Sequence, residues 1–371
     1  MICVFCTLSM RQKSLMPNSL PFSDGSGKSP RRPSGKIKVS NRRSARKSPK
    51  VLDVLAVSDM CVDVILTGNV RPQFHQVEQI IGDCFVELGG SANIFATQMA
   101  KLGAHVGVIG WRGRDAFGEL ALRQLQSAGV DTSRIAIHST LKTGIGFALT
   151  EPDDRAILTY MGTIDATRPA QLEAPLLSAC RHWHIAAFFL LAGLRSCWLP
   201  WLKQCHKLGI TTSLDTNWDP QNRWERVTEL LAYVDVFFPN EAEALAITGE
   251  SGVRGAAKSL ARGGTLVVVK RGEKGVLAMQ GERAWEFDPT TSNATAPGVV
   301  DCIGAGDNFD AGFLRAWLAG EDVETCIDLG HRCAVSSLAA RGGVLGQLRE
   351  EVQAAHSKRA NPRFQAGRKN K

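Results

Sequence analysis

A short glycine-rich segment near the C-terminal end of the chain could bind an anion and remove a proton from a neighbouring group. Gly304-Ala305-Gly306-Asp307 follows β-branched residues and precedes an apolar stretch typical of a helix. Small residues let backbone N–H groups approach a ligand, and a helix N-terminus attracts phosphate. Because a carboxylate repels phosphate, Asp307 suits the role of a base for an attacking hydroxyl. The segment predicts phosphoryl transfer, and a glycine turn capped by Asp307 is the simpler alternative.

Three further segments carry glycine or polar residues at the junctions of predicted elements. Residues 86–119 read VELGGSANIFATQMAKLGAHVGVIGWRGRDAFGE, in which a Gly-Gly turn leads into a helix and then a strand. Asn240 and Glu243 open a helix directly after an apolar strand, where they could also serve as an ordinary cap and first-turn acid. Lys270 ends another strand and is followed by two glycines. Four such segments in this order are more specific evidence for a function than any one of them alone.

The order and spacing of these segments resemble the signatures of the ribokinase-like (PfkB) carbohydrate kinase family, over roughly residues 51–348. The resemblance implies an ATP-dependent kinase that phosphorylates a hydroxyl of a small sugar. ATP and Mg²⁺ are the implied cofactors, with K⁺ as a further cation. The alternatives are a nucleoside kinase on the same scaffold and a non-catalytic relative that binds a sugar or a nucleotide.

The resemblance also implies a role for each residue that matches a family motif. The implied residues are Asp307 as base with Gly304, Ala305 and Gly306 as anion hole; Asp63, Gly89, Gly90 and Asn93 for the substrate; Lys270, Gly272 and Gly275 for the nucleotide; Asn240 and Glu243 for Mg²⁺ through water; and Asp301 and Ile303 for a monovalent cation.

Two positions depart from the family pattern. The family usually places an asparagine eight residues before the Leu of the Leu-Gly pair, and Ile94 holds that position here, with Asn93 one residue earlier. Either the register shifts locally or this sugar contact is absent. Many relatives carry an arginine near position 219, where this chain has Asp219. The identity of the substrate therefore stays open.

Strand-like and helix-like segments alternate along most of the chain, which predicts an α/β fold with a doubly wound, mostly parallel sheet flanked by helices. Two excursions, about 64–88 and 141–164, interrupt the alternation. In the family that the chain resembles, the equivalent strands form a small β-sheet lid over the sugar. The predicted kinase domain spans 51–350.

The net charge of +8 is concentrated at the two ends of the chain. Residues 1–50 hold twelve Lys or Arg and one Asp, and residues 351–371 hold six Lys or Arg and one Glu, so the domain between them carries a net charge of about −8. We expect a disordered basic tail before the domain and a basic tail after it. A nucleic-acid-binding domain would carry its positive charge on its own folded face, so no specific nucleic acid is expected.

The remaining features of the sequence concern location and partners. No apolar run is long enough to span a bilayer, and ten scattered cysteines suit a reducing compartment. The predicted location is cytoplasmic, although the near absence of acidic residues from 1–50 leaves organelle targeting open. The expected partners are a sugar or nucleoside substrate and, through the lid, a second copy of the chain, with no membrane.

Overall fold

The structure is a computed structural model that describes residues 51–151, 155–291 and 298–349. The two basic tails predicted from the sequence lie outside the described residues, as do residues 152–154 within the second excursion. No helix in the described ranges is both long enough and apolar enough to cross a bilayer.

Strands and helices alternate through most of the described chain. The strands are β1 (Leu52–Val57), β2 (Cys61–Thr67), β3 (Asp83–Gly89), β4 (Val106–Arg112), β5 (Asp131–Ile137), β6 (Gly144–Thr150), β7 (Arg155–Tyr160), β8 (Cys180–Ile185), β9 (Thr211–Leu214), β10 (Val236–Phe237), β11 (Leu266–Lys270), β12 (Val276–Gln280) and β13 (Arg283–Phe287). The α-helices are α1 (Ser91–Lys101), α2 (Ala116–Ser127), α3 (Ala174–Leu177), α4 (Arg195–Lys207), α5 (Val227–Leu231), α6 (Glu241–Thr248), α7 (Val253–Leu260), α8 (Ala305–Ala319) and α9 (Val323–Ser337).

Nine strands form one central sheet in the order β13-β12-β11-β10-β9-β8-β1-β4-β5. The pairings from β11 through β5 are parallel, and only the edge pairings β11–β12 and β12–β13 are antiparallel. This arrangement confirms the predicted mostly parallel α/β fold. The carboxyl ends of the parallel strands share one edge, where open α/β sheets bind their ligands.

The core lies on both faces of this sheet. Strand β11 shows why: Val267 and Val269 pack in one hydrophobic cluster with α4, α5 and α7, whereas Leu266 and Val268 pack in another with α1, α8 and α9. A strand covered on both faces needs a continuous apolar run, which is what β11 provides. The scaffold behind the strand ends is therefore close-packed and rigid.

A second, smaller sheet has the order β3-β2-β6-β7. Its β2–β3 and β6–β7 pairings are antiparallel, and β2 pairs with β6 in parallel. Both sequence excursions therefore contribute to a single sheet, as expected for a lid. Strand β2 begins at Cys61, earlier than the predicted start of the first excursion, so that Asp63 lies within the small sheet.

Candidate active site

The glycine-rich segment forms the N-terminus of α8. Gly304 is the N-cap residue, with a φ of 73° that favours glycine, and a Cβ at this position would stand 2.7 Å from the Cα of Gly343. The chain therefore turns sharply into the helix. The first N–H groups of a helix have no carbonyl partner within it, so those of Ala305, Gly306 and Asp307 lie at the helix end that favours an anion.

Asp307 combines partial exposure with a strongly perturbed acidity. Burial raises the pKa of its carboxyl from 3.8 to about 7. The nearby Asp215 adds to this rise, while Lys270 and a hydrogen bond from Ser91 oppose it. A pKa near the operating pH is what a general base needs, because the group must both accept a proton and be ionised beforehand.

Lys270 brings a positive charge to the same place. Its ammonium Nζ donates to Asp215 Oδ2 at 2.7 Å and to Asp310 Oδ1 at 3.1 Å, and only 15% of its side chain is exposed. A Cβ at Gly306 would stand 3.3 Å from Nζ, so the ammonium group lies beside the first turn of α8. Burial by itself would lower the pKa of Lys270, but the two carboxylates raise it well above its usual value.

Asn240 and Glu243 form a reciprocal cap at the start of α6. Asn240 Oδ1 accepts from the backbone N–H of Glu243 at 2.8 Å, and Glu243 Oε2 accepts from that of Asn240 at 2.9 Å. Asn240 and Glu243 therefore do cap the N-terminus of α6. Burial, together with the nearby Asp215 and Asp307, raises the pKa of Glu243 from 4.5 to about 7, although Lys270 opposes the rise. The Glu243 carboxyl thus shares the electrostatic environment of Asp307.

The donor set fits Mg²⁺ only if other ligands complete it. Among the described residues, no group of three or more His, Cys, Asp or Glu side chains is arranged to hold a metal ion. Mg²⁺ keeps several waters and often binds substrate phosphates, so one or two protein carboxylates are sufficient. Glu243 is a suitable carboxylate for that arrangement, since its Oε1 is not engaged in the helix cap.

Asp63 lies in the small sheet between two glycines. A Cβ at Gly89 or Gly146 would stand 2.4–2.5 Å from its Oδ1, so a side chain at either position would displace the Asp63 carboxylate. Burial and the neighbouring Asp301 raise the pKa of Asp63 to about 6, while Arg155 of β7 opposes the rise. Asp63 also acts electrostatically on Asp307. The predicted substrate residue and the predicted base therefore belong to one site.

The side chain of Asn93 is hydrogen-bonded within the fold, next to the Gly-Gly turn. Its Oδ1 accepts from the Ser58 hydroxyl at 2.7 Å, and its Nδ2 donates to the carbonyl of Gly89 at 2.9 Å. The side chain is fully buried and holds the Gly-Gly turn in place. One hydrogen bond is therefore formed at each end of the Asn93 amide, and the contact between Asn93 and the substrate stays a prediction. Ile94 packs against Gly304 and Gly343.

Asp301 joins two turns beside the N-terminus of α8. Its Oδ1 accepts from the N–H of Ile303 at 3.0 Å, and its Oδ2 accepts from that of Gly342 at 2.9 Å. These two hydrogen bonds hold the turn at Ile303 next to the turn at Gly342. Carbonyl oxygens suit a monovalent cation, whereas the Asp301 carboxylate is already hydrogen-bonded on both oxygens.

The remaining predicted nucleotide residues form a tight turn after β11. The N–H of Arg271 donates to the carbonyl of Gly275 at 2.9 Å, and Gly272 begins the short helical turn between them.

Asp219, which departs from the family pattern, has a structural role in its own loop. Its carboxylate accepts from the backbone N–H groups of Gln221, Arg223 and Trp224, and so it closes its own loop.

The structure adds residues to the site that the sequence did not single out. Asp59 follows β1, and its carboxylate accepts from the N–H groups of Ser91 and Ala92 at the start of α1. Burial, and then Asp307, raises its pKa to about 8. Asp215 follows β9. The sequence could have indicated both residues, because polar side chains at the carboxyl ends of parallel strands commonly contact ligands.

The chain resembles known kinases in its sequence. The family model described as pfkB family carbohydrate kinase matches residues 52–348. An ATP-dependent ribose-1-phosphate kinase of Halopiger xanaduensis is 29% identical over 276 residues, which cover 73% of this chain and 87% of that protein. Further relatives are kinases named for sugars and for nucleosides.

Two solved structures extend the comparison to the fold. The ribokinase of Arabidopsis thaliana, complexed with ribose and ATP, superimposes with a TM-score of 0.69 at 22% identity, covering 80% of this chain and 96% of that chain. An Escherichia coli protein of the ribokinase II type, in complex with ATP and Mg²⁺, gives a TM-score of 0.68 at 21% identity, covering 81% and 96%. At these identities the likeness shows a common fold.

Proposed function

The chain belongs to the pfkB family of carbohydrate kinases, and we propose that it transfers the γ-phosphate of ATP to a hydroxyl of a small carbohydrate, with Asp307 as the general base. The observation that carries this proposal is the position of Asp307. It combines a pKa of about 7 with a place at the N-terminus of α8, beside the helix end that favours a phosphate.

In this mechanism, the acceptor hydroxyl attacks the γ-phosphorus while Asp307 takes its proton. The bond from the γ-phosphorus to the bridging oxygen breaks, and ADP leaves. The N–H groups of the turn from Gly304 to Asp307 stabilise charge on the γ-phosphate oxygens, and Lys270 adds positive charge beside Gly306. Positioning and electrostatics supply most of the rate in reactions of this kind.

We propose that the substrate lies between the residues that the central sheet and its helices bring to the site and the residues that the small sheet brings. Asp63 is the proposed partner of the acceptor's hydroxyl groups, because its carboxylate is held between Gly89 and Gly146 and is electrostatically coupled to Asp307. Gly90 would pack beside the acceptor through its backbone. The turn at Gly272 and Gly275 would lie on the nucleotide side.

Two cations belong to the proposal. Mg²⁺, when bound, neutralises charge on the β- and γ-phosphate oxygens, and Glu243 with Asn240 would hold its water shell. A monovalent cation such as K⁺ would lie among the carbonyl groups of the turns that Asp301 ties together, next to Ile303. Its electrostatic effect would strengthen the anion hole.

The outer strand of the small sheet supports a further proposal on assembly. Ile157, Leu158 and Tyr160 of β7 are 53%, 59% and 45% exposed. Exposed apolar side chains on an edge strand favour association, so we propose a homodimer formed through the lid. Sedimentation velocity would measure the proportion of dimer.

We also propose a cytoplasmic location, in keeping with the cysteines in the described ranges, which form no disulfides there.

The direct test of the function is an ATP-consumption assay over a panel of acceptors. The panel contains D-ribose, ribose 1-phosphate, 2-dehydro-3-deoxygluconate, adenosine and cytidine, each with Mg²⁺. We expect ADP formation that depends on one acceptor class, with a phosphorylated product detected by mass spectrometry. A nucleoside as the best acceptor would favour the nucleoside-kinase alternative. Binding of acceptors without any acceptor-dependent ADP would identify a non-catalytic relative.

A further inference from the structure

Glu87 is a buried acidic side chain that the proposed mechanism does not use. It lies on β3 and is only 1% exposed, and among the described residues neither of its carboxylate oxygens has a hydrogen-bond partner. Buried polar groups are almost always paired, and a buried charge without a partner costs more free energy than a neutral group. Both oxygens of Glu87 are therefore available to a ligand that the chain itself does not supply.

The charged side chains around Glu87 favour a positive ligand. Asp63 lies directly opposite Glu87 in the β2–β3 ladder, where like charges repel each other. Lys101 of α1 acts on Glu87, but its ammonium group donates to the carbonyl of Val344 at 2.8 Å. Burial raises the pKa of the Glu87 carboxyl from 4.5 to about 7, while the N–H of Val344 and the Lys101 ammonium oppose the rise. A further positive charge would stabilise the ionised carboxylate.

The Glu87 side chain points to the face of the small sheet that contacts the turn before α8. Alternate residues of a strand share a face, so Glu87 lies on the same face as Phe85. Phe85 packs in one hydrophobic cluster with Ile65 of β2 and with Ile303. Glu87 is therefore on the side of the sheet that faces the central domain.

Glu87 also lies against the backbone of Gly342. A Cβ at Gly342 would overlap Glu87 Oε2, and the φ of Gly342 is 71°. The N–H of Gly342 donates to Asp301 Oδ2 at 2.9 Å. The same glycine thus contacts the carboxylates of Glu87 and Asp301, which come from the small sheet and from the segment before α8. Glu87 reaches one of the two turns to which we assign the monovalent cation.

The groups at this place suit a monovalent cation better than a divalent one. Both oxygens of Asp301 already accept from backbone N–H groups, so Glu87 is the carboxylate with both oxygens available beside Gly342. One such carboxylate balances one positive charge. Ca²⁺ takes six to eight oxygen ligands and Mg²⁺ keeps several waters, whereas the described ranges contain no group of three or more acidic side chains arranged for a metal ion.

We propose that Glu87 is the charged ligand of the monovalent cation at the turns of Ile303 and Gly342, and that this cation joins the small sheet to the segment before α8. The inference rests on the cation site of the proposed function. It adds a carboxylate of β3 that no motif in the sequence singled out. K⁺ should then stabilise the folded chain, because a ligand that binds only the folded state does so.

The test compares the thermal midpoints of the wild type and Glu87→Gln at pH 8, in KCl and in choline chloride of equal ionic strength. The wild-type midpoint should rise with K⁺ and not with choline. In Glu87→Gln, the K⁺ concentration that gives half of the rise should increase about tenfold or more, because the charged ligand is lost. In choline, Glu87→Gln should be at least as stable as the wild type, since it removes a buried charge without a partner. K⁺ should reverse that order.

Glu151→Gln is the matched control. Glu151 directly follows β6 of the same small sheet, but its carboxylate is paired with Arg71. Its substitution should leave the effect of K⁺ unchanged. The inference is overturned if the wild type responds equally to K⁺ and choline, if Glu87→Gln keeps the wild-type dependence on K⁺, or if Glu151→Gln loses that dependence to the same extent.

A second measurement locates the cation and needs neither a variant nor turnover. Crystals of the wild type grown with Tl⁺ in place of K⁺ should show an anomalous-scattering peak in contact with a carboxylate oxygen of Glu87. A peak at the two turns without contact to Glu87 contradicts the inference and leaves the proposed cation site intact, whereas the absence of a peak contradicts both. A peak on Glu87 in a protein that phosphorylates no acceptor contradicts the proposed kinase activity alone.

Discussion

Acidic side chains crowd the candidate site, and their burial makes them weaker acids than usual. The pKa values of Glu243 and Asp307 rise to about 7, and that of Asp59 rises to about 8. Lys270 lies among them with its ammonium group bound to Asp215. The protonation state of each acidic side chain therefore depends on the charges of its neighbours. A cation that binds with the nucleotide would change the ionisation of all of these side chains together.

The pH dependence of catalysis follows from the Asp307 carboxyl. Its folded-state pKa is raised from 3.8 to about 7, so the ionised base is present above about pH 7 and is lost as the pH falls through that value. We predict that kcat/KM decreases about tenfold per pH unit below this point. Initial rates from pH 5 to 9 with saturating Mg-ATP measure it. A constant kcat/KM between pH 5 and 8 would be incompatible with this assignment.

The buried ion pair of Lys270 should be important for stability. We predict that Lys270→Met lowers the free energy of unfolding by about 3–5 kcal/mol, because it leaves the carboxylates of Asp215 and Asp310 buried without their cation. Urea titration measures the change. The matched control is Lys258→Met, which removes an exposed pair with Glu282 and should cost about 0–1 kcal/mol. Equal effects of the two substitutions would refute the prediction.

At the residue scale, glycine and acidic motifs indicated the site, but contacts across the fold were not visible. The glycine-rich turn at the start of α8 could be predicted, because its four residues are contiguous in the sequence, whereas the roles assigned to them stay predictions. The hydrogen bond between Ser91 and Asn217 joins residues 126 positions apart, and it depends on left-handed backbone that no local pattern announces. The hydrogen bonds of Asn93 to Ser58 and to the carbonyl of Gly89 were equally hidden from the sequence, and its contact with the substrate stays a prediction.

Secondary-structure elements were predictable where their apolar pattern was strong. The run Leu266–Lys270 and the helix Glu241–Thr248 were evident from composition and caps. Strand Asp131–Ile137 was not anticipated, because it is polar and forms the edge of the sheet with only one partner. Nor could the sequence show that β2 pairs in parallel with β6, since that pairing joins two distant segments.

The small sheet should respond to the acceptor as one unit. Its two halves are joined by the β2–β6 pairing, and β2 carries Asp63. We predict that segments 64–88 and 141–164 become protected together when the acceptor is bound, because closure excludes water from the phosphate. Hydrogen exchange with and without saturating acceptor measures this. If neither segment changes while the turn at Gly304 responds to ATP, the small sheet is fixed scaffold.

On the scale of the whole molecule, the two hydrophobic clusters and the complete sheet are contained in the described ranges. We therefore propose that residues 51–350 form the functional kinase domain. Deletion of residues 1–50 should leave kcat/KM within about twofold of the full chain and should not lower the thermal midpoint. Calorimetry and steady-state kinetics of the truncated protein measure this. A marked decrease in either quantity would mean that the segment packs on the domain.

The most direct test of the account is the substitution Asp307→Asn, studied by kinetics and by isothermal titration calorimetry. We predict that kcat falls by about 10²-fold or more while the dissociation constants for Mg-ATP and for the acceptor change little, because only the proton-accepting group is removed. Asp322→Asn, at the exposed cap of α9, is the control and should retain wild-type rates. If Asp307→Asn keeps more than about a tenth of the wild-type kcat, Asp307 is not the base and the central claim is wrong.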